Sequence, residues 1–408
     1  MQRNRKQQYR VEHRSFSNLS AVLALLGLLW LPQCSAATTD DQFEVYVFNL
    51  CNTVIPPTNP LNWDSVKLGN LCTNAFPAGY NGNPSTLTSS SNLGSANASG
   101  GSTRKTQSVQ DRLEERKKEA GKAASADSGG WGLLFSPQYG KSKRPETELE
   151  NGFQSDLAGL LLGLDYRFSD SFVLGAAIGY TKDKIGFLNN AGTLKTTSNT
   201  LTLYGTWTPS VSGYIDGYLG TGKIDLDNQR QIVFGLLSPS TASSNTTGKQ
   251  IMAGLSAGYK MDSGRANFGP FINLDYIKTT IDGYDERGNT LLELRYSDRS
   301  TVSTTGSVGG QANMAFNYDW GNLLPSTRLA AVHEYKNDAR QISSELVITP
   351  GPTFSIASDA PDRNYFLTGL GLTAAFNGGA QAFLNYEKRS KDKLLNSWAV
   401  SAGVLVEF

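Results

Sequence analysis

Much of the chain between residues 130 and 408 alternates between apolar and polar side chains with a period of two. The last nine residues show the pattern well. One parity holds Val400, Ala402, Val404, Val406 and Phe408, and the other holds Ser401, Gly403, Leu405 and Glu407. Successive side chains of a β-strand point to opposite faces, so each such stretch predicts a strand with one apolar face.

This alternation predicts an all-β domain over residues 129–408 with twelve strands. The strands are expected at 130–142, 154–168, 171–186, 195–208, 212–226, 247–262, 265–281, 301–319, 322–336, 363–377, 380–391 and 395–408. Connections after even-numbered strands are short turns, whereas most of those after odd-numbered strands are long: 143–153, 187–194, 227–246, 282–300 and 337–362. Short turns at one rim and long connections at the other are typical of transmembrane β-barrels.

The two faces of these strands also differ in polarity. One face is almost continuous Leu, Phe, Val and Tyr, and the other carries Asp165, Arg167, Asn273, Asp275, Arg328, Glu334, Asn385 and Glu387. A charged side chain facing lipid costs about 2–4 kcal/mol at the bilayer midplane, so the polar face is expected to line a wet lumen. The sequence therefore predicts a 12-stranded antiparallel transmembrane barrel. The alternative is a soluble sheet protein that ends in a strand.

Residues 1–36 have the pattern of a secretory signal peptide. Five basic residues precede an uncharged, Leu-rich run from Ala21 to Leu31, and small residues follow at the predicted cleavage point, Ala36 or Ala37. This run is too short for a membrane-spanning helix, which needs about 20 apolar residues. Without the leader, 32 basic and 35 acidic residues remain, a net charge of −3 that argues against nucleic acid as a partner.

The segment between this leader and the predicted barrel has two parts. Residues 37–77 contain Cys51 and Cys72, which predict one disulfide in an exported protein, with two free thiols as the alternative. Apolar residues recur there at helical spacing, so a small, helical, disulfide-linked segment is expected. Residues 78–103 are almost wholly Gly, Ser, Asn, Thr, Ala and Pro, the composition of a flexible linker.

Residues 104–128 are predicted to hold a helix, from 104 to 120, and its lead-in to the barrel. The helical stretch lacks Gly and Pro and would be about 25 Å long, close to the height of a barrel's apolar band. It is strongly charged, so it suits a polar lumen, where Val109, Arg112, Leu113 and Arg116 are its predicted lumenal residues. Glycines on the inward face are expected to leave room for it. The alternative is a solvated helix on a tether.

Several segments resemble the translocator barrel of monomeric (type V) autotransporters: Gly269–Tyr276 (GPFINLDY), Ile281–Tyr284, Tyr214–Tyr218, the Gly130-Trp131 pair and the last strand. The resemblance covers residues 104–408. It implies twelve strands, a helix through the lumen, and a monomer in the outer-membrane bilayer of a Gram-negative bacterium. It also implies that the barrel-assembly machinery reads the last strand, through Val400, Ala402, Val404, Val406 and Phe408. The passenger, residues 37–103, would be unusually short.

Motifs with possible chemistry do not assemble into a site. Gly254–Gly258 matches G-x-S-x-G, but Ser256 lies in the middle of a predicted strand and His333 is predicted to face lipid. Gly217–Lys223 resembles a phosphate-binding loop but is followed by Ile224 instead of Ser or Thr. The acidic stretch 282–289 lacks the spacing of an EF-hand. We therefore expect no catalysis, no cofactor and no metal.

The sequence thus predicts an outer-membrane barrel that exports or displays its own short N-terminal segment at the cell surface. The alternative is a porin-like channel or an adhesion barrel that acts through its long extracellular loops. No motif identifies a host or surface ligand.

Overall fold

The computed structural model describes residues 46–51, 72, 130–147, 150–210, 212–232, 239–336 and 341–408. Within them, twelve long strands form the barrel. They are β1 (Trp131–Arg144), β2 (Phe153–Ser169), β3 (Phe172–Phe187), β4 (Gly192–Trp207), β5 (Gly213–Ile232), β6 (Ser240–Tyr259), β7 (Ala266–Ile281), β8 (Arg299–Met314), β9 (Gly321–Lys336), β10 (Asn364–Phe376), β11 (Ala380–Ser390) and β12 (Asn396–Glu407). Short extensions, Met261–Ser263 and Phe316–Tyr318, continue β6 and β8, and a 3-10 turn, Leu188–Asn190, follows β3.

Each strand pairs antiparallel with the next one, and the ring closes between β1 and β12. At the seam, Gly132 lies opposite Glu407. Beyond it, the Trp131 N–H donates to the Phe408 carbonyl (3.3 Å) and the Phe408 N–H donates to the Trp131 carbonyl (3.0 Å). A closed sheet has no edge, which satisfies the backbone of every barrel strand without water. The predicted 12-stranded antiparallel barrel is confirmed.

The outward face of the wall is apolar, as predicted, whereas the inward face mixes charged residues with apolar ones such as Leu161. In β2, Leu161 and Asp165 are 5% and 1% exposed, whereas Leu162 and Leu164 are 38% and 43% exposed. Exposed aromatic side chains lie at the short-turn rim: Trp131, Phe168, Phe172, Trp207, Tyr259, Phe268, Phe316, Tyr318, Trp320, Phe376 and Phe408. An apolar outer band bordered by an aromatic girdle is the surface of a barrel in a bilayer.

The predicted loop at 227–246 is wrong in part. The β5–β6 hairpin continues beyond the predicted ends, and its pairing runs from Leu226 opposite Thr246 to Ile232 opposite Ser240. The segment is polar in composition, but its alternation persists, because Arg230 and Ile232 are 1% and 3% exposed. The inward side chains of this extension are therefore buried, although the extension lies beyond the predicted membrane-spanning part of the strands.

Two other predicted long loops contain further strands. Tyr284–Asp285, Leu294–Tyr296, Gln341–Leu346 and Thr353–Ala357 form a separate four-stranded antiparallel sheet at the long-connection rim. On one face of this sheet, Leu294, Tyr296, Ile342 and Leu346 are buried. We call this sheet the outer sheet.

Before the barrel, residues 46–51 are helical, and Cys72 is also helical. Cys51 and Cys72 form a disulfide with their Cα atoms 5.5 Å apart, which confirms the predicted pairing. The predicted signal peptide (1–36), linker (78–103) and lumen helix with Val109, Arg112, Leu113 and Arg116 lie outside the described residues. Among the residues that are described, no helix is long and apolar enough to cross a membrane.

Candidate functional site

The inward face of the wall combines hydrogen-bonded carboxylates with a buried cluster of apolar and aromatic side chains: Leu134, Leu161, Ala177, Tyr204, Tyr218, Met252, Ile277, Phe383 and Leu405. The Tyr204 hydroxyl donates to Asp165 Oδ2 (2.8 Å), and the Tyr218 hydroxyl donates to Asp275 Oδ1 (2.6 Å). Both carboxylates were predicted to face inward, and the structure places them there. A hydrogen bond to a charged carboxylate is stronger than one between neutral groups. Each tyrosine hydroxyl therefore replaces part of the water that the carboxylate loses in the wall.

Arginines on the inward face also lie over aromatic rings. The guanidinium carbon of Arg328 is 4.0 Å from the Phe271 ring centroid, and that of Arg389 is 3.5 Å from the Tyr365 ring centroid. Contacts of this kind hold a cation through the ring's quadrupole. The inward face of the wall therefore carries both signs of charge.

Two inward glycines face aromatic rings of the neighbouring strand, whereas the helix for which inward glycines are expected to leave room lies outside the described residues. A Cβ on Gly254 would collide with the ring of Tyr218, and a Cβ on Gly403 would collide with the ring of Phe383. These rings lie flat across the glycine backbone of the neighbouring strand. An aromatic ring from the neighbouring strand thus occupies the space above each of these two glycines. The glycine lets the ring lie against the wall instead of extending into the lumen.

A second site lies at the long-connection rim, where the N-terminal segment packs against the barrel's outer structures. One buried cluster, which we call the outer cap, contains residues from the helical segment, the outer sheet and the β5–β6 hairpin: Val47, Leu50, Cys51, Cys72, Ile232, Ala242, Leu292, Leu294, Tyr296, Ile342 and Leu346. Val47, Leu292, Leu294 and Leu346 are 0% exposed. Burial of this kind contributes roughly 1.5–3 kcal/mol for each large apolar side chain.

Tyr46 anchors the helical segment to the edge of the outer cap. Its ring centroid is 4.5 Å from that of Phe354, and its hydroxyl donates to the Pro352 carbonyl (2.8 Å). Burial raises the pKa of the Tyr46 phenol above its usual value, and the Glu345 carboxylate adds to the effect. The hydroxyl therefore stays protonated and remains a donor at neutral pH.

A buried ion pair holds the loop that carries the outer sheet. Arg230 Nε donates to Glu286 Oε1 (2.9 Å) and Arg230 Nη2 to Glu286 Oε2 (2.5 Å), with side chains that are 1% and 0% exposed. The same Nη2 donates to the Leu292 carbonyl (2.8 Å), and Glu286 Oε2 accepts the Leu294 N–H (3.0 Å). Sequence reasoning missed this pair. The feature of the sequence that could have indicated the pair is Arg230, which has the parity of the inward residues of β5.

On its exposed face the outer sheet carries a charged row across three strands. Arg295 donates to both carboxylate oxygens of Asp285 (2.7 and 2.8 Å) and to Glu345 Oε1 (3.1 Å). The hydrogen bonds from Arg295 hold the pKa of Asp285 below its usual value. Asp285 and Glu286, which lie in the acidic stretch considered for calcium, are thus engaged by arginines. The part of the chain that the structure describes contains no His, Cys, Asp and Glu group arranged to bind a metal.

The other predicted site residues also have definite positions. Val404, Val406 and Phe408 are 45%, 40% and 60% exposed on the outer face, and Val400 and Ala402 share that face, half-buried. Their role in assembly stays a prediction. Ser256 lies on the lumen face of β6 and His333 on the outer face of β9, where its Nδ1 is 2.8 Å from Asn364 Oδ1. His333 therefore faces outward, as predicted, away from Ser256.

This fold, with its apolar outer band and polar lumen, defines an outer-membrane β-barrel. The family model of the autotransporter beta-domain matches residues 133–387, and the chain belongs to that family. Its outer-membrane location in a Gram-negative bacterium follows from this membership, from relatives named as outer-membrane proteins and from the fold.

Two relatives and one solved structure illustrate the range of similar proteins. Outer membrane protein A of Rickettsia conorii is 26% identical over 60% of this chain and 12% of its own length. Esterase EstA of Pseudomonas aeruginosa is 24% identical over 52% of this chain and 33% of its own. The translocator domain of the autotransporter NalP from Neisseria meningitidis matches with a TM-score of 0.56 and 14% identity, over 75% of this chain and 98% of that one. The chain thus spans a third or less of these two relatives.

Proposed function

We propose that this barrel exports the segment that precedes it and keeps that segment at the cell surface as part of the outer cap. The observation that carries the proposal is the position of the two ends. Tyr46, Cys51 and Cys72 contribute to the outer cap at the long-connection rim, whereas β1 begins with Trp131 at the short-turn rim. The long-connection rim of an outer-membrane barrel faces outward.

The chain between Cys72 and Trp131 must therefore pass from one rim to the other. A strand of the length of β1, at about 3.3 Å per residue and a tilt of about 40°, covers a height of about 35 Å. A path outside the barrel would place unpaired backbone groups in lipid at several kcal/mol each. A path through the lumen meets the polar wall of Asp165, Asp275 and Arg328. We assign the lumen path, for which the predicted helix at 104–120 has a suitable length and charge.

The proposed function is export and display without catalysis. Ser256 and His333 lie on opposite faces of the wall, so they do not support a serine-hydrolase site. Some relatives are named as esterases, but the chain matches only a third of the length of Esterase EstA. Delivery to the membrane would use the barrel-assembly machinery, with the outward row that ends in Phe408 as the signal. The barrel closes within one chain, which supports a monomer.

The test is an epitope tag inserted after Thr39, probed on intact cells with antibody and external protease. We expect surface labelling that protease removes. A tag at Gly351, an exposed turn of the outer sheet, serves as the surface control, and a tag at Gly378, in a turn of the opposite rim, serves as the periplasmic control. If the Thr39 tag behaves like the Gly378 tag, the export proposal is wrong, and the barrel acts as a channel or through its loops.

A further inference from the structure

Six exposed lysines point outward from five adjacent strands at nearly one height: Lys182, Lys184, Lys195, Lys223, Lys249 and Lys278. Each lies ten to twelve residues from the short-turn end of β3, β4, β5, β6 or β7. At about 3.3 Å per residue and a tilt of about 40°, this places them about 25–30 Å above that rim, at the outer edge of the apolar band. We call them the lysine arc.

At the same height, the outward positions of β8, β9 and β10 hold Val302, Thr304, Ala331, His333 and other side chains that are neither Lys nor Arg. Two further outward lysines, Lys141 and Lys143, lie at this height on β1, where Lys141 Nζ is 3.1 Å from Asp156 Oδ1. Outward positive charge at this height is therefore concentrated on β1 and on β3 to β7.

Within the lysine arc, like charges face each other across neighbouring strands. Lys184 lies directly opposite Lys195, and Lys223 lies directly opposite Lys249. Like charges in such cross-strand positions destabilise a sheet. Asp225 lies 3.0 Å from Lys223 Nζ, but both side chains are half-exposed, so this ion pair is weak. An anion between the two lysines would relieve their repulsion.

A groove on the outer wall begins at the second of these lysine pairs. It has a volume of about 710 Å³, and its lining includes Leu160, Leu162, Ile178, Leu201, Lys223 and Lys249. The apolar side chains come from β2, β3 and β4, towards the membrane interior, and the lysines come from β5 and β6 at the membrane edge. An apolar groove with two cations at its outer end matches a molecule with a hydrocarbon chain and an anionic head.

We propose that this groove binds a phosphate-bearing lipid of the outer leaflet, with an acyl chain along Leu162, Ile178 and Leu201 and a phosphate between Lys223 and Lys249. A lipid fits better than a free phosphate, because the groove opens onto the apolar band and not onto water. Juxtamembrane lysines attract anionic lipids for the same electrostatic reason.

The test is native mass spectrometry of the purified full-length protein in detergent, with diphosphorylated lipid A as the probe. We expect one tightly retained lipid, and about 30-fold weaker retention for the double variant Lys223→Gln/Lys249→Gln. The matched control, Lys388→Gln/Lys393→Gln, removes two exposed lysines from the opposite side and should bind as the wild type does. Heat-modifiable gel migration verifies that each barrel is folded.

Asn199→Phe tests the apolar part of the site. It places a ring in the groove and leaves both lysines in place, so it should also weaken retention. Equal retention by the wild type and the double lysine variant overturns the proposal, as does equal retention of phosphatidylcholine. Displacement of lipid A by millimolar inorganic phosphate would show an anion site without a lipid groove, and would also overturn it.

Discussion

Replacement of Glu286 by Gln should open the outer cap while the barrel stays closed. The substitution keeps the size of the side chain and removes its charge. Arg230 would then keep its positive charge at a position where its side chain is 1% exposed, with the Leu292 carbonyl and a neutral amide as its hydrogen-bond partners. Breaking a buried pair on one side costs about 3–5 kcal/mol, because the remaining charge is not compensated.

The substitution should lower the free energy of local opening of the loop and not that of unfolding the barrel. The reason is that Glu286 links the β5–β6 hairpin to the loop that carries Leu292 and Leu294. A change of 1.4 kcal/mol is tenfold in an equilibrium constant. The opening equilibrium of the loop should therefore rise between about a hundredfold and a few thousandfold. Hydrogen exchange measured by mass spectrometry on peptides over 284–296 reads this directly, and a peptide from β2 gives the reference for the barrel.

The double variant Arg230→Met/Glu286→Leu separates charge from packing. Apolar replacement of both partners of a buried pair is often neutral or stabilising, so its loop should exchange about as slowly as that of the wild type. If the single and the double variant open to the same extent, the loop is held by side-chain shape and not by the ion pair. The reasoning from the uncompensated charge would then be refuted.

Three further predictions concern the cap, the seam and pH. Cys51→Ser/Cys72→Ser should weaken docking of the N-terminal segment by about 3 kcal/mol on the chain-entropy model, seen as faster external proteolysis of the Thr39 tag; unchanged proteolysis would contradict it. Deletion of Phe408 removes the two hydrogen bonds to Trp131 and an exposed aromatic side chain, so the heat-modifiable fraction in the outer membrane should fall. Because the pKa of Asp285 is lowered in the folded state, its pairing with Arg295 contributes above the ordinary carboxyl pKa and is lost as pH falls through the lowered value. Protection of the outer sheet from hydrogen exchange, relative to the unfolded chain at the same pH, should therefore fall below about pH 4, and Arg295→Met should remove that pH dependence.

The barrel was predictable from the sequence because a membrane imposes a simple rule on each residue. Outward side chains such as Leu162 and Val404 must be apolar, while inward ones such as Asp165 are free to be polar, so the period of two is visible directly. The strand ends at the short-turn rim were placed within a few residues for the same reason. At the long-connection rim this rule no longer applies, because water can hydrogen-bond to the backbone of either a loop or a strand. The stretch 227–232 is polar apart from Ile232, so the apolar period of two that marks a membrane strand does not reveal its pairing with 240–245.

The interior arrangement was less accessible to sequence reasoning. Inward glycines such as Gly403 are predicted to leave room for a helix, and the structure shows that Gly403, like Gly254, faces a ring of the neighbouring strand. Whether a glycine makes room for a ligand, a helix or a ring depends on cross-strand register. A one-residue change of register moves the ring to a different neighbour. Only the pairing of Tyr218 with Gly254 identifies the occupant.

The outer cap explains two features of the sequence together: apolar residues in the outward connections and an apolar stripe in the short segment before the barrel. Leu292, Leu294 and Leu346 are apolar residues in connections that face the cell exterior, where nothing in the membrane rule requires them. Val47 and Leu50 form an apolar stripe on a segment too short to bury it alone, since short chains bury too small a fraction of their surface to be stable unaided. Each apolar surface needs an apolar partner, and both sets of residues belong to one buried cluster at 0–7% exposure. Apolar residues in the outward connections of a barrel therefore predict a docked segment.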